Sequence, residues 1–133
     1  SRRTYKSGKA LVNDIFRAFW RSYEACPDSL RVANTFFQNT ELIEQLDEDA
    51  RKIISSTGRH DFELARDVLT AAMDQGLIRK TNPYMLSDII WGLMLGITQV
   101  MDMKATRSPH VERHLKSTLA EARRLVADAV ALG

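Results

Sequence analysis

Two histidines near the end of the chain have the spacing of a metal-binding pair. His110 and His114 are four residues apart, so on a helix they share one face. A zinc site needs further ligands, and the sequence offers no evident third one and no His-Glu-x-x-His motif. The lone cysteine, Cys26, precedes a proline and has no histidine nearby in the sequence, which favours a structural thiol. With no constellation of acid, base and nucleophile, we predict no metal, no cofactor and no enzymatic activity.

Aromatic side chains are concentrated early in the chain, where six of the ten lie between Phe16 and Phe37. Apolar walls with a few polar groups are typical of small-molecule sites, and methionines adapt to varied ligands. We predict a pocket for a small, mostly apolar ligand, lined by Phe16, Phe19, Trp20, Tyr23, Phe37, Trp91, Met94 and Thr98. The alternative is that these residues are ordinary core, because aromatic residues at helical spacing usually are.

The elements that must position these residues are helices. A chain of 133 residues with 44% hydrophobic and 27% charged residues is typical of one soluble globular domain. Apolar residues recur with a period near 3.6, and no segment alternates with period two. We therefore predict an all-α bundle of five to six helices, whose last two helices form a four-helix bundle in a dimer.

Capping residues and periodicity predict where these helices begin and end. Glycine after a helix, and Asn or Ser before Pro at its first position, are ordinary boundary signals. The predicted segments are a helix from Lys9 to Ala25, a short one from Asp28 or Ser29 to Phe37, an acidic stretch over 41–49 capped by Thr40, a helical run from Leu42 to Gln75 ended by Gly76, a helix from Asn82-Pro83 to Lys104, and one from Ser108-Pro109 to Leu132. Ser55–Gly58 interrupts the long run, either as a break in the helix or as a weak point within it.

The formal net charge of +2 is unevenly distributed. Arg2, Arg3, Lys6 and Lys9 supply four of the nineteen basic residues, and the other fifteen face seventeen acidic ones, so the rest of the chain carries −2. A basic excess is the usual mark of a nucleic-acid surface. The body of the protein lacks it. We predict a basic linker over residues 1–8 and a helical domain over residues 9–133.

The segment from Tyr84 to Met103 is apolar on most sides. One predicted face carries Met85, Ile89, Gly92, Gly96, Val100 and Met103, and another carries Ile90, Met94, Ile97 and Met101. Asp88 and Asp102 argue against a membrane span, because a buried carboxylate is costly in lipid. Four other helices cover one side of such a helix, so we expect its second face to meet a partner chain.

The last helix has a long apolar stripe, which we expect to be exposed beside that face. Two such helices make a four-helix bundle across a twofold axis. The predicted dimer interface is Ile89, Gly92, Gly96, Val100, Leu115, Leu119, Ala122 and Val126. The alternative is a monomeric bundle in which the apolar helix is simply the central one.

Three segments carry a family resemblance. Residues 23–28 (Tyr-Glu-Ala-Cys-Pro-Asp) end an aromatic helix, residues 72–79 (Ala-Met-Asp-Gln-Gly-Leu-Ile-Arg) form a helix end with a Gly–apolar–basic turn, and Asn82-Pro83 precedes Ile-Trp-Gly-Leu-Met-Leu-Gly over residues 90–96. With a final amphipathic helix, their order resembles the C-terminal ligand-binding and dimerisation domain of TetR-family transcriptional regulators. The resemblance covers Lys9 to Leu132.

This resemblance implies a cytoplasmic repressor domain that forms a homodimer and binds a small-molecule effector. Members of the family carry a helix-turn-helix domain ahead of this region, and the residues before Lys9 are too few to hold one. We therefore expect contact with DNA only through a domain that this chain lacks, and repression that lasts until the effector binds. The alternative is a helical protein–protein interaction module without a small-molecule ligand.

Overall fold

Helices make up most of the structure, a computed structural model that describes residues 5–25, 40–105 and 111–132. Within these ranges the elements are α1 (Gly8–Ala25), α2 (Thr40–Gln45), α3 (Glu48–Asp74), α4 (Pro83–Ala105) and α5 (Val111–Val130). Strand pairing in the same ranges is limited to one isolated bridge. The predicted all-α fold is confirmed. The predicted helix ending at Phe37 and the Ser108-Pro109 cap lie outside the described residues.

The end of α3 has the glycine stop that the sequence predicts. Gly76 has a φ of 73°, a left-handed conformation that costs glycine little. The Gly76 N–H donates to the Met73 carbonyl at 3.1 Å, and the Leu77 N–H donates to the Ala72 carbonyl at 3.0 Å. These two bonds form a Schellman motif, which satisfies carbonyls that the helix leaves free.

The start of α4 is also capped as predicted. The Asn82 side-chain oxygen accepts hydrogen bonds from the backbone N–H of Tyr84 at 2.9 Å and of Met85 at 3.3 Å. Pro83, which has no N–H to satisfy, is the first helical residue. The boundary between α3 and α4 is therefore specified by local chemistry at both ends.

The region before α3 differs from the prediction. The acidic stretch over residues 41–49 is divided, because Asp47 is extended and accepts a hydrogen bond from the Ala50 N–H at 2.7 Å. Asp47 thus caps a new helix and ends α2 just before it. Ser55–Gly58 does not break the helix, since the α3 backbone is helical from Glu48 to Asp74. One glycine costs a helix only about 1 kcal/mol, which a long helix tolerates.

The core lies where α5 packs against α1 and α4, and where α3 packs against α4. Within the described ranges, α1 and α4 are not among the closely packed helix pairs. The buried apolar residues are Leu11, Val12, Phe16, Phe19, Leu69, Ala72, Met73, Ile78, Leu86, Ile90, Met94, Leu115, Leu119, Ala122 and Ala127.

The two ends of the domain are joined by backbone contacts that we call the terminal clasp, formed by Gly8 and by residues 77–79 and 130–132. Ile78 and Ala131 form the antiparallel bridge. The Arg79 N–H donates to the Val130 carbonyl at 2.8 Å, and the Leu132 N–H donates to the Leu77 carbonyl at 3.0 Å. Because these residues pair with the turn after α3, α5 ends at Val130, close to the end near Leu132 that the sequence predicts.

Candidate functional site

The predicted ligand-binding residues lie partly inside the core and partly at its edge. Phe16, Phe19 and Met94 are buried, and Thr98 is buried with 1% of its surface exposed. The remaining described members, Trp20, Tyr23 and Trp91, are half-buried and pack against the core. Phe37 lies outside the described residues.

Aromatic contacts link α1 to α4. The rings of Phe19 on α1 and Trp91 on α4 meet edge to face, with centroids 6.2 Å apart and planes at 77°. The backbones of these two helices are not among the closely packed pairs in the described ranges, so large side chains make this contact. Gaps between helices are where small-molecule sites occur in bundles.

A second aromatic pair stays on α1. Trp20 stacks on Tyr23 with centroids 5.8 Å apart and an interplanar angle of 29°. The Trp20 indole N–H donates to the Glu24 carboxylate one turn later. This local pair occupies the half-buried side of α1, so Trp20 is oriented by its own helix.

Two buried hydroxyls lie on the core-facing side of α4. Thr98 donates to the Leu95 carbonyl at 2.8 Å, so its hydrogen is already bonded within the helix. Ser87 is 3% exposed, and its hydroxyl oxygen has no hydrogen-bond partner. The sequence prediction missed Ser87. The signal was present, because Ser87 precedes Trp91, Met94 and Thr98 by four, seven and eleven residues, which is the spacing of one helix face.

The opposite side of α4 leaves large apolar side chains exposed, and we call it the open face. Its most exposed members, with their exposed fractions, are Met85 (63%), Ile89 (62%), Val100 (47%) and Met103 (78%). Isolated exposed apolar residues are common, whereas a stripe of them along one helix is typical of interaction surfaces. The two faces predicted for this helix are therefore present, one buried and one exposed.

Both glycines of α4 border the open face. A Cβ atom built at Gly92 or at Gly96 meets nothing within 4 Å. These glycines are thus not required by packing inside the chain. Two small residues one turn apart let another helix approach closely.

The prediction that α5 presents an exposed apolar stripe is wrong for most of that stripe. Leu115, Leu119 and Ala122 are buried within the chain itself, and Val126 is half-buried against the core. These side chains lie where α5 packs on α1 and α4. They offer almost no surface to a second chain. Among the α5 residues whose burial the structure describes, the exposed large apolar one is Leu125, at 57%.

The charged groups with resolved contacts lie at the surface. The Arg66 guanidinium of α3 sits 4.8 Å from the centre of the Tyr84 ring of α4, a cation–π contact that joins the two helices. On α5, a hydrogen bond from Arg124 lowers the pKa of Glu121, and the same bond raises the pKa of Arg124. Both side chains of this pair are exposed to solvent, so water and salt screen it.

The described ranges bear on two further possibilities, a metal site and a membrane span. Those residues contain no group of three His, Cys, Asp or Glu side chains that could hold a metal ion. Cys26 and His110 lie outside them. The Pro83–Lys104 helix is long and apolar enough to cross a membrane by length and composition, and a third of its most apolar window is buried in the fold. A core helix of a soluble protein passes the same test, so this is weak support for a span.

Comparison of the chain with protein-family models, with curated proteins and with solved structures gave no match. The resemblance to the TetR family therefore rests on the sequence segments quoted above, and it stays a prediction.

Proposed function

We propose that this chain is the effector-sensing and dimerisation domain of a TetR-like transcriptional repressor, and that it binds a small, mostly apolar ligand. One observation carries the proposal, which is the division of α4 into two faces. One face directs Met94 and Thr98 into the interior beside Trp91, and the opposite face is apolar and exposed. A helix of this kind joins a ligand site inside one chain to a contact between two chains.

A second copy of this chain is the proposed occupant of the open face. A twofold contact brings the same surface of two chains together, so that surface must complement itself. The open face has large side chains at Ile89 and Val100 and open glycines at Gly92 and Gly96, which supply both ridges and grooves. Burial of these side chains in a dimer would remove apolar surface from water at roughly 25 cal/mol per Å².

The proposed signal path runs through α1. Phe19 of α1 touches Trp91 of α4, and Gly8 at the start of α1 is held in the terminal clasp. A ligand that binds beside Trp91 with different affinity for two orientations of α1 shifts the population between them. Any contact with DNA belongs to a domain beyond these residues, since the body of this chain has no basic excess.

The dimer is tested by sedimentation velocity of Ile89→Glu beside the wild-type chain. The expected result is a dimer for wild type and a monomer for the variant, because two buried carboxylates would face each other across the twofold axis. Leu64→Glu on α3 is the matched control, since Leu64 is also exposed, at 51%, and lies off the open face. Sedimentation of Leu125→Glu shows whether α5 also contributes to the dimer contact. A wild-type chain that sediments as a monomer at high concentration contradicts the dimer.

A helical interaction module is the second candidate, and the same open face favours it. In that case the exposed apolar side chains of α4 bind a different protein, and the interior holds no ligand. A monomeric wild-type chain whose melting temperature is unmoved by small apolar compounds is the result that would favour this candidate.

A further inference from the structure

We infer that Ser87 is the hydrogen-bonding anchor of the effector site, and that the effector is an uncharged, mostly apolar molecule with a hydroxyl or carbonyl group. The inference rests on the proposed function, because it specifies the ligand of that same site. It concerns a residue that the aromatic pattern of the sequence does not identify.

The unpartnered hydroxyl of Ser87 is the first observation. A buried polar group without a hydrogen bond is costly, and native proteins keep few of them. A helical serine usually returns its hydroxyl to the carbonyl four residues earlier, here that of Pro83, but Ser87 has no such bond. Thr98, the other buried hydroxyl of α4, does bond within the helix. Ser87 therefore keeps a donor and an acceptor free for another molecule.

The position of Ser87 is the second observation. It lies one turn before Trp91 on the same side of α4, and the Trp91 ring contacts Phe19 of α1. Met94 continues the same face one turn later and is buried. A molecule held against Trp91 would thus meet aromatic and thioether walls, with the Ser87 hydroxyl at one end.

The residues that line the proposed site favour an uncharged ligand. Ser87 and Thr98 are the polar residues among the buried ones in the described chain, and neither carries a charge. Among these described residues an ion would lose its water without gaining a buried counter-charge, which is strongly unfavourable. Thr98 lies eleven residues from Ser87, or roughly 16 Å along the helix, so a small ligand reaches only one of the two.

The experiment compares probes that differ by one hydroxyl. The pairs are p-cresol with p-xylene and 2-naphthol with 2-methylnaphthalene, each titrated into the 133-residue chain and its variants and followed by ligand-detected NMR. In an apolar site without a partner, the phenol binds more weakly than its methyl analogue, because its hydroxyl loses water. With Ser87 as anchor, the phenol binds more tightly, by roughly fivefold.

Two variants isolate the hydroxyl. Ser87→Ala is expected to abolish the preference for the phenols, whereas Ser117→Ala is expected to retain it. Ser117 is an exposed serine of α5, so its replacement measures the gain from alanine in a helix without any change in the core. Ser87→Ala is expected to raise the melting temperature by more than Ser117→Ala does, since it also removes the unpartnered buried hydroxyl.

The outcomes separate the inference from the proposed function. If the probes bind but show no preference for the phenols, or keep that preference in Ser87→Ala, the proposed ligand site is retained and the role of Ser87 as its anchor is wrong. A Ser87→Ala chain that melts below wild type also overturns the anchor, because the hydroxyl is then bonded in the folded protein. If neither pair binds the wild-type chain, both the anchor and the proposed ligand site are wrong.

Discussion

At the scale of single residues, the terminal clasp depends on the absence of a side chain at Gly8. A Cβ atom there would collide with the Leu77 carbonyl oxygen and lie 3.0 Å from the Ala131 Cα. Both neighbours are backbone atoms, which cannot rotate away as a flexible side chain does. Position 8 is therefore closed to larger residues by tertiary contact, although alanine is the better helix former.

We predict that Gly8→Ala destabilises the fold by about 1–3 kcal/mol, the usual cost of overpacking. The free energy of unfolding from urea titration measures this. Lys9→Ala is the matched control, since Lys9 is exposed on the same turn of α1 and its loss leaves the clasp intact. A Gly8→Ala chain as stable as the control would mean that the clasp is open in solution.

Asn82 caps the start of α4. Its side-chain oxygen accepts from the N–H groups of Tyr84 and Met85. We predict that Asn82→Ala lowers the free energy of unfolding by about 1 kcal/mol, because those donors lose their partner. Asn82→Asp is expected to retain the stability, since a carboxylate accepts the same bonds and suits the positive end of the helix dipole. Equal losses in both variants would contradict a capping role.

At the scale of helices, the sequence predicts elements well where the signal is local. The bounds of α1 and α4, the Gly76 stop and the Asn82 cap all follow from residues within one turn of each boundary. Periodicity does not predict the division before α3, because an aspartate in an acidic stretch can lie within a helix or cap the next one. Asp47 is a cap.

The α5 stripe shows the limit of periodicity. An amphipathic pattern states that one face is apolar, but not which surface covers it. Leu115 and Leu119 are covered by helices of the same chain, whereas Ile89 and Val100 of α4 are not. Ser87 was missed for a related reason, because a serine beside Asp88 looks polar and solvated until its burial is known. Tertiary packing decides these cases.

Replacement of the two α4 glycines by alanine is expected to stabilise the monomer and to weaken the dimer. We expect Gly92→Ala with Gly96→Ala to raise the helix stability of the isolated chain by roughly 1–2 kcal/mol, because a Cβ meets nothing there. The same methyl groups hold two helices apart, so the dimer should dissociate more readily. Urea unfolding in the monomeric Ile89→Glu background measures the first effect, and sedimentation equilibrium of the otherwise wild-type chain measures the second. An unchanged dissociation constant would place the glycines outside the contact.

At the scale of the whole molecule, a single chain leaves α4 incompletely covered. The same helix has Met94 fully buried on one side and Met103 78% exposed on the other. If a second copy covers the open face, unfolding and dissociation are coupled, and stability depends on protein concentration. A monomeric bundle shows no such dependence, so thermal unfolding distinguishes the two architectures without a ligand.

We predict that the melting temperature of the wild-type chain rises by roughly 2–3 °C for each tenfold increase in protein concentration, as expected for a dimer of this size. Differential scanning calorimetry over a hundredfold concentration range measures the slope. Ile89→Glu is expected to remove the slope and Leu64→Glu to keep it, although both place a carboxylate at an exposed apolar position. The contrast matters because added charge alone affects both variants equally. A flat slope for wild type would assign the open face to a different partner, whereas a slope lost in both variants would extend the contact to α3.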